Sequence, residues 1–178
     1  PTEALNLGNS GTSVRLFAGL LAGQAFDTEL IGDESLMQRP MRRITEPLQQ
    51  MGAEISCSET GTLPIRIRGK ANLKAMTYTM PVASAQLKSA ILLAGLYAPG
   101  KTCVIEPATT RDHSERMLSL FGCRLEKNQK QICLSSEKLQ GQDVYVPADI
   151  SSAAFFMVAA SIVPGSELIL EGVGINPT

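Results

Sequence analysis

Small and aliphatic residues gather into three dense runs, at residues 11–22, 85–97 and 150–163, each opening on hydroxyl-bearing residues and closing at a Gly or Pro-Gly turn. Runs of that length and texture predict helices that are apolar on nearly every side and therefore buried. After each helix a short β-branched stretch ends at an acid: residues 27–32 before Asp33, 102–105 before Glu106, and 168–170 before Glu171. The acids lie 73 and 65 positions apart, a near-regular spacing that reads as an internal repeat.

Between copies the pattern changes to one-sided. Residues 39–51 carry Met41, Ile44, Leu48 and Met51 at helical spacing and stop at Gly52; residues 111–121 carry Met117, Leu118 and Phe121 and stop at Gly122. Each is followed by two short alternating segments, 54–58 with 64–68 and 124–127 with 131–135, which predict strands. The expected class is therefore α/β (α+β in some schemes), built from repeated β-α-β-α-β-β units with right-handed crossovers around buried helices.

The 178 residues, 44% apolar and 19% charged, suit one globular domain or two at most. Lys plus Arg number 16 against 17 Asp plus Glu, and there is no Trp, which argues against a nucleic-acid surface. Any bound anion is expected to be small and locally held. The longest apolar stretches, 90–98 and 153–160, fall short of the roughly 18 residues that span a bilayer. Cys57, Cys103, Cys123 and Cys133 form no C-x-x-C pair and share the chain with one His, so no zinc site is expected. They read as reduced cytoplasmic thiols filling core positions. No signal-peptide pattern opens the chain, which starts at Pro1, and its ends are expected to be cuts within a longer protein.

Three helix starts carry groups suited to small anions, because the first backbone N–H groups of a helix lack internal partners and the dipole adds positive charge there. Gly8-Asn9-Ser10-Gly11-Thr12 supplies glycines and hydroxyls, with Arg15 one turn on; it is either a phosphate cradle or a plain capped helix. Arg39 precedes Pro40, which is expected to open a helix and hold Arg39 at an orderly start. Arg42 and Arg43 read as solvated charges. Ser84 and Gln86 stand at the second buried helix, as a cap or as ligands. Asp112 and Glu115 fit a capping box, with Arg111 just outside it and His113 read as structural. Asp149 is a simple N-cap.

Taken together, Gly8-Asn9-Ser10-Gly11-Thr12-Ser13-Val14-Arg15, Gly32-Asp33-Glu34-Ser35-Leu36-Met37-Gln38-Arg39-Pro40, Ala83-Ser84-Ala85-Gln86-Leu87-Lys88-Ser89-Ala90 and Thr110-Arg111-Asp112-His113-Ser114-Glu115-Arg116-Met117 resemble, in order, the motifs of the 5-enolpyruvylshikimate-3-phosphate synthase family. The resemblance runs from Leu7 to the C-terminus, and the Ser-Ala-Gln and Thr-Arg-Asp-His forms are similar to a bacterial subclass that includes glyphosate-tolerant members. It implies the enolpyruvyl transferase fold, an inside-out α/β barrel. The activity implied is transfer of the enolpyruvyl group of phosphoenolpyruvate to the 5-hydroxyl of shikimate 3-phosphate, with phosphate released and neither metal nor organic cofactor needed.

By motif position the resemblance implies that Gly11, Arg39 and Gln86 contact phosphoenolpyruvate and that Ser84, Ala85, Gln86 and Arg111 hold shikimate 3-phosphate. Asn9, Thr12 and Arg15 would shape the site. It further implies that residues 1–148 are most of a first domain and 149–178 the first helix and strand of a second. The family's acid-base residues have no counterpart here, so the segment alone is expected to be an inactive half-site. The expected partners are the two small anions and the remainder of the same enzyme, in the cytoplasm, with no nucleic acid or membrane. The rival readings are the UDP-N-acetylglucosamine enolpyruvyl transferase and a non-catalytic anion-binding domain of the same fold.

Overall fold

The structure, a computed structural model, describes residues 3–69 and 72–175. It divides into two compact units, Pro1–Gln140 and Gly141–Thr178.

The larger unit contains one motif twice. The first copy runs β1 (Leu5–Asn6), α1 (Gly11–Ala22), β2 (Thr28–Ile31), α2 (Glu34–Met37), α3 (Arg42–Gln50), β3 (Glu54–Ser56) and β4 (Ile65–Arg68); the second runs β5 (Thr77–Thr79), α4 (Ala85–Gly95), β6 (Lys101–Ile105), α5 (His113–Leu120), β7 (Leu125–Asn128) and β8 (Gln131–Ser135). The sheets have matching orders, β1-β2-β4-β3 and β5-β6-β8-β7. In each, the first two strands are parallel and the remaining pairs antiparallel. A parallel pair needs a crossover, and α1 and α4 supply it. The β-α-β-α-β-β reading therefore holds in both copies.

The two crossover helices pack on each other. A methyl group on Gly19 of α1 would lie 2.1 Å from the carbonyl oxygen of Ala90 in α4, so only glycine permits this approach. Val14 and Ala18 of α1 and Leu87, Ala90, Ile91 and Leu92 of α4 are fully shielded. The helix α1 keeps one exposed edge at Phe17. The amphipathic helices end as expected, at Gly52 (φ +92°) and Gly122 (φ +87°), where the left-handed backbone favours glycine.

Four expectations need correction. The helix expected from residue 39 begins at Arg42, and Arg39 and Pro40 lie in the connection from α2. A residue before proline is pushed out of the α region, which breaks the helix there. Cys103 and Cys133, 30 positions apart, are not free thiols: antiparallel pairing of β6 and β8 sets them opposite each other with Cα atoms 4.1 Å apart, joined as a disulfide. Such cross-strand register is invisible in spacing alone.

The other two corrections concern the smaller unit. The expected strand at 168–170 is absent among the described residues, which hold only a parallel bridge between Ala148 and Val173. The expected buried helix is present as α6 (Ile150–Ile162), capped by Asp149. Its apolar surface is nonetheless open: only Ala153 is buried, and Phe155 is 80% exposed. An all-round apolar helix needs cover on all sides, and this segment does not supply it. Among the described residues no helix is long and apolar enough to cross a membrane.

Candidate functional site: an anion face at the starts of the two buried helices

The site begins with two turns. Gly8 takes φ +56°, and Ser10 then caps α1 by accepting the Ser13 N–H at 3.1 Å. In the other β2-linked turn, Asp33 caps α2, accepting the Leu36 N–H at 2.8 Å. Asn9 joins them: its Nδ2 donates to Asp33 Oδ2 at 2.7 Å, while its Oδ1 accepts from Arg39 Nη2 at 2.6 Å. Arg39 is thus held by an amide carbonyl, and the Asp33 charge stands one residue further back. The Leu36 N–H bond first, and Asn9 second, hold the Asp33 carboxyl below the usual aspartate range.

Arg15 projects from one turn inside α1 and makes the long-range link. Its Nη1 donates to the Gly11 carbonyl and to Gln86 Oε1, both at 3.0 Å, and its Nη2 donates to the Pro40 carbonyl at 3.3 Å. Gln86 in turn donates from Nε2 to Thr12 Oγ1 at 2.9 Å. A methyl on Gly11 would stand 2.8 Å from both Arg15 Nη1 and Arg39 Nη1, so the two guanidinium groups flank this backbone position. Burial, then repulsion by Arg39 and Arg43, lowers the Arg15 pKa from its ordinary value, yet an arginine keeps its charge throughout the working range.

The second buried helix opens at Ser84, whose hydroxyl oxygen accepts the Leu87 N–H at 3.3 Å. Next to it lies a cleft of about 120 Å³ lined by Thr12, Leu16, Ala85, Gln86, Ser89, Arg111, His113 and Ser114. Ala85, Gln86 and Arg111 share this wall; Ser84, one residue earlier, serves α4 as its cap. Among the described residues no carboxylate lies within ion-pairing distance of Arg15, Arg39 or Arg111. Three cations on one face with no carboxylate paired to them among the described residues suit a ligand that brings its own negative charge.

Two sequence readings of the α5 start change. Asp112 and Glu115 do not form a capping box: Asp112 makes no cap bond and pairs with Arg116 at 2.8 Å. Glu115 instead turns inward. His113 is exposed and lines the cleft rather than serving the core.

Glu115 belongs to a feature that the motifs did not disclose. Lys88, 1% exposed, lies 3.2 Å from Glu106 Oε1 and 2.6 Å from Glu115 Oε1. The Glu115 contact is a charge contact, since neither of its oxygens meets hydrogen-bond geometry. Glu106 Oε1 also accepts the Thr110 hydroxyl. The signal was present as a single lysine inside the apolar run 85–97, where a helix buried on all sides leaves a charge no route to solvent.

Comparison with known proteins places the chain beside relatives of one name. The chain is 62% identical to the 3-phosphoshikimate 1-carboxyvinyltransferase of Methylococcus capsulatus, covering all of this chain and 41% of that protein. It is 60% identical to the enzyme of the same name from Halorhodospira halophila, again along its full length and over 40% of the relative. The chain thus spans about two fifths of the length of the curated relatives it matches. Among solved structures, EPSP synthase from Acinetobacter baumannii superposes with a TM-score of 0.86 at 54% identity, over 99% of this chain and 40% of that one. The enolpyruvyl transferase NikO from Streptomyces tendae, at 16% identity and TM-score 0.52 over 70% of this chain and 29% of its own, shares the fold. The family model of EPSP synthase (3-phosphoshikimate 1-carboxyvinyltransferase) matches residues 1–178, and the chain belongs to that family.

Proposed function

We propose that this chain is part of a longer enzyme that transfers the enolpyruvyl group of phosphoenolpyruvate to the 5-hydroxyl of shikimate 3-phosphate. The observation that carries this reading is the convergence of Gly11, Arg15, Arg39 and Gln86 on one anion-ready face beside the cleft that Arg111 lines. In this reading residues 1–148 are most of the first domain and 149–178 begin the second, whose remainder covers α6.

Both substrates carry a phosphate and a carboxylate, so each needs cations and backbone N–H groups. Arg39 and the Gly11 backbone bind phosphoenolpyruvate. Ser84, Ala85 and Arg111 bind shikimate 3-phosphate. Gln86 lies between Arg15 and the cleft and serves both. Asn9, Thr12 and Arg15 set these groups in place. Holding the two anions side by side supplies proximity, which is a large part of the barrier in a two-substrate reaction.

The chemistry is an addition followed by an elimination. The 5-hydroxyl oxygen bonds to C2 of phosphoenolpyruvate as its proton leaves, and C3 gains a proton. The tetrahedral adduct then loses a C3 proton and breaks the C2–O bond to phosphate, leaving the enol ether and inorganic phosphate. No oxidation occurs, and neither metal nor organic cofactor takes part. The proton donors and acceptors lie outside this segment, which is inactive by itself. Cytoplasmic location belongs to the same proposal.

The test is product analysis by phosphorus NMR. The full-length protein is mixed with phosphoenolpyruvate and either shikimate 3-phosphate or UDP-N-acetylglucosamine. Phosphate release with shikimate 3-phosphate alone is expected. Release with the nucleotide sugar alone assigns the rival transferase, and release with neither assigns a binding domain.

A further inference from the structure

The buried charges around Lys88 are expensive. Each ion loses its hydration, and one ammonium faces two carboxylates. A well-packed apolar cluster would stabilise the fold as well or better, so stability alone does not account for the group. Its location does. Lys88 stands two residues after Gln86 on α4, Glu106 directly follows β6 and accepts the hydroxyl of Thr110, and Glu115 lies in the first turn of α5, four residues after Arg111. One residue along each helix, Ser89 and Ser114 are also joined, hydroxyl to hydroxyl, at 2.6 Å. These ties meet beneath the cleft and connect its two walls.

We infer that Lys88 is a positioning residue: with Glu106 and Glu115 it clamps the Thr110–Arg111 segment at a fixed separation from Gln86, and so sets the width of the cleft that receives the sugar phosphate. The inference rests on the proposed assignment of shikimate 3-phosphate to this cleft. Lys88 is 1% exposed and cannot itself reach a ligand there. It acts through Arg111. Phosphoenolpyruvate lies on the other side of Gln86, against Arg39, and does not depend on the clamp.

The experiment is steady-state kinetics on the full-length protein carrying Lys88→Met, together with the charge-free triple variant Lys88→Met/Glu106→Gln/Glu115→Gln. The triple variant leaves no unpaired buried carboxylate, so it keeps the test open if the single variant fails to fold. Both should raise KM for shikimate 3-phosphate at least about ten-fold while KM for phosphoenolpyruvate and kcat at saturation stay within about three-fold. Thermal melts report folding separately. A folded triple variant with unchanged acceptor KM, or with both KM values rising in parallel, overturns the positioning role. A wild-type protein that neither binds nor turns over shikimate 3-phosphate overturns the assignment of the cleft, and the role falls with it.

Discussion

The guanidinium of Arg15 donates to the amide oxygen of Gln86 at 3.0 Å, across 71 positions of sequence and between the two buried helices. This bond ties the first turns of α1 and α4 together and leaves the Gln86 amide nitrogen facing Thr12. Gln86 is therefore the point at which the two proposed substrate positions meet. Gln86→Leu in the full-length enzyme should raise KM for both substrates by about ten-fold or more, the scale of a lost hydrogen bond to charge. Steady-state kinetics in both substrates check this. A change confined to one substrate would assign Gln86 to that substrate alone.

Gly11 is the second prediction. A methyl there meets only the ends of two flexible side chains, Arg15 and Arg39, each at 2.8 Å. The arginines can yield, so the fold should survive, but space over the proposed phosphoenolpyruvate position shrinks. The family resemblance implies that glyphosate, the longer molecule, competes with phosphoenolpyruvate there and that tolerant members of the similar subclass carry Ala at the matching position. The full-length enzyme should be inhibited by glyphosate, and Gly11→Ala should relieve inhibition by a larger factor than it raises KM for phosphoenolpyruvate. Inhibition curves at matched substrate saturation decide it, and coincident curves refute the steric argument.

Asp33 gives a pH dependence. Its carboxyl is held below the usual aspartate range by the Leu36 N–H and by Asn9. A depressed pKa stabilises the fold above the unfolded value of about 3.9, and that stabilisation disappears as pH falls through the lower folded value. Asp33→Ala should lower the melting temperature by a few degrees at pH 7, and the gap should narrow toward pH 3. A gap that widens in acid would mean that the ionised carboxylate is not what Asp33 contributes.

The legible parts of the fold were those set by local periodicity. The apolar runs announced α1, α4 and α6, and glycines marked the stops at Gly52 and Gly122. The ordered motifs named the groups on the anion face, though only the fold brings Arg15 to Gln86. What escaped were long-range relations. The Cys103–Cys133 bond depends on strand register, and the break at Arg39-Pro40 on a local steric rule outweighed by the apolar spacing of residues 41–51. The partners of Lys88 come from β6 and α5, and nothing in the spacing of Glu106 and Glu115 points inward to α4. Glu115 looked like a cap because a capping box and an inward-facing acid occupy the same place in a helix's first turn.

The central claim is that Arg39, fixed through Asn9 beside Gly11, binds the transferred group, whereas Arg42, three positions on, is occupied with the carbonyl of Glu59 at 2.6 Å. The measurement that tests it most directly is kcat/KM for phosphoenolpyruvate in the full-length enzyme and its Arg39→Ala and Arg42→Ala variants, with shikimate 3-phosphate saturating. Arg39→Ala should lower it by at least about thirty-fold, equivalent to about 2 kcal/mol for a charge-assisted pair, and Arg42→Ala should leave it within about two-fold. Equal losses in the two variants, or no loss at Arg39, would contradict the account.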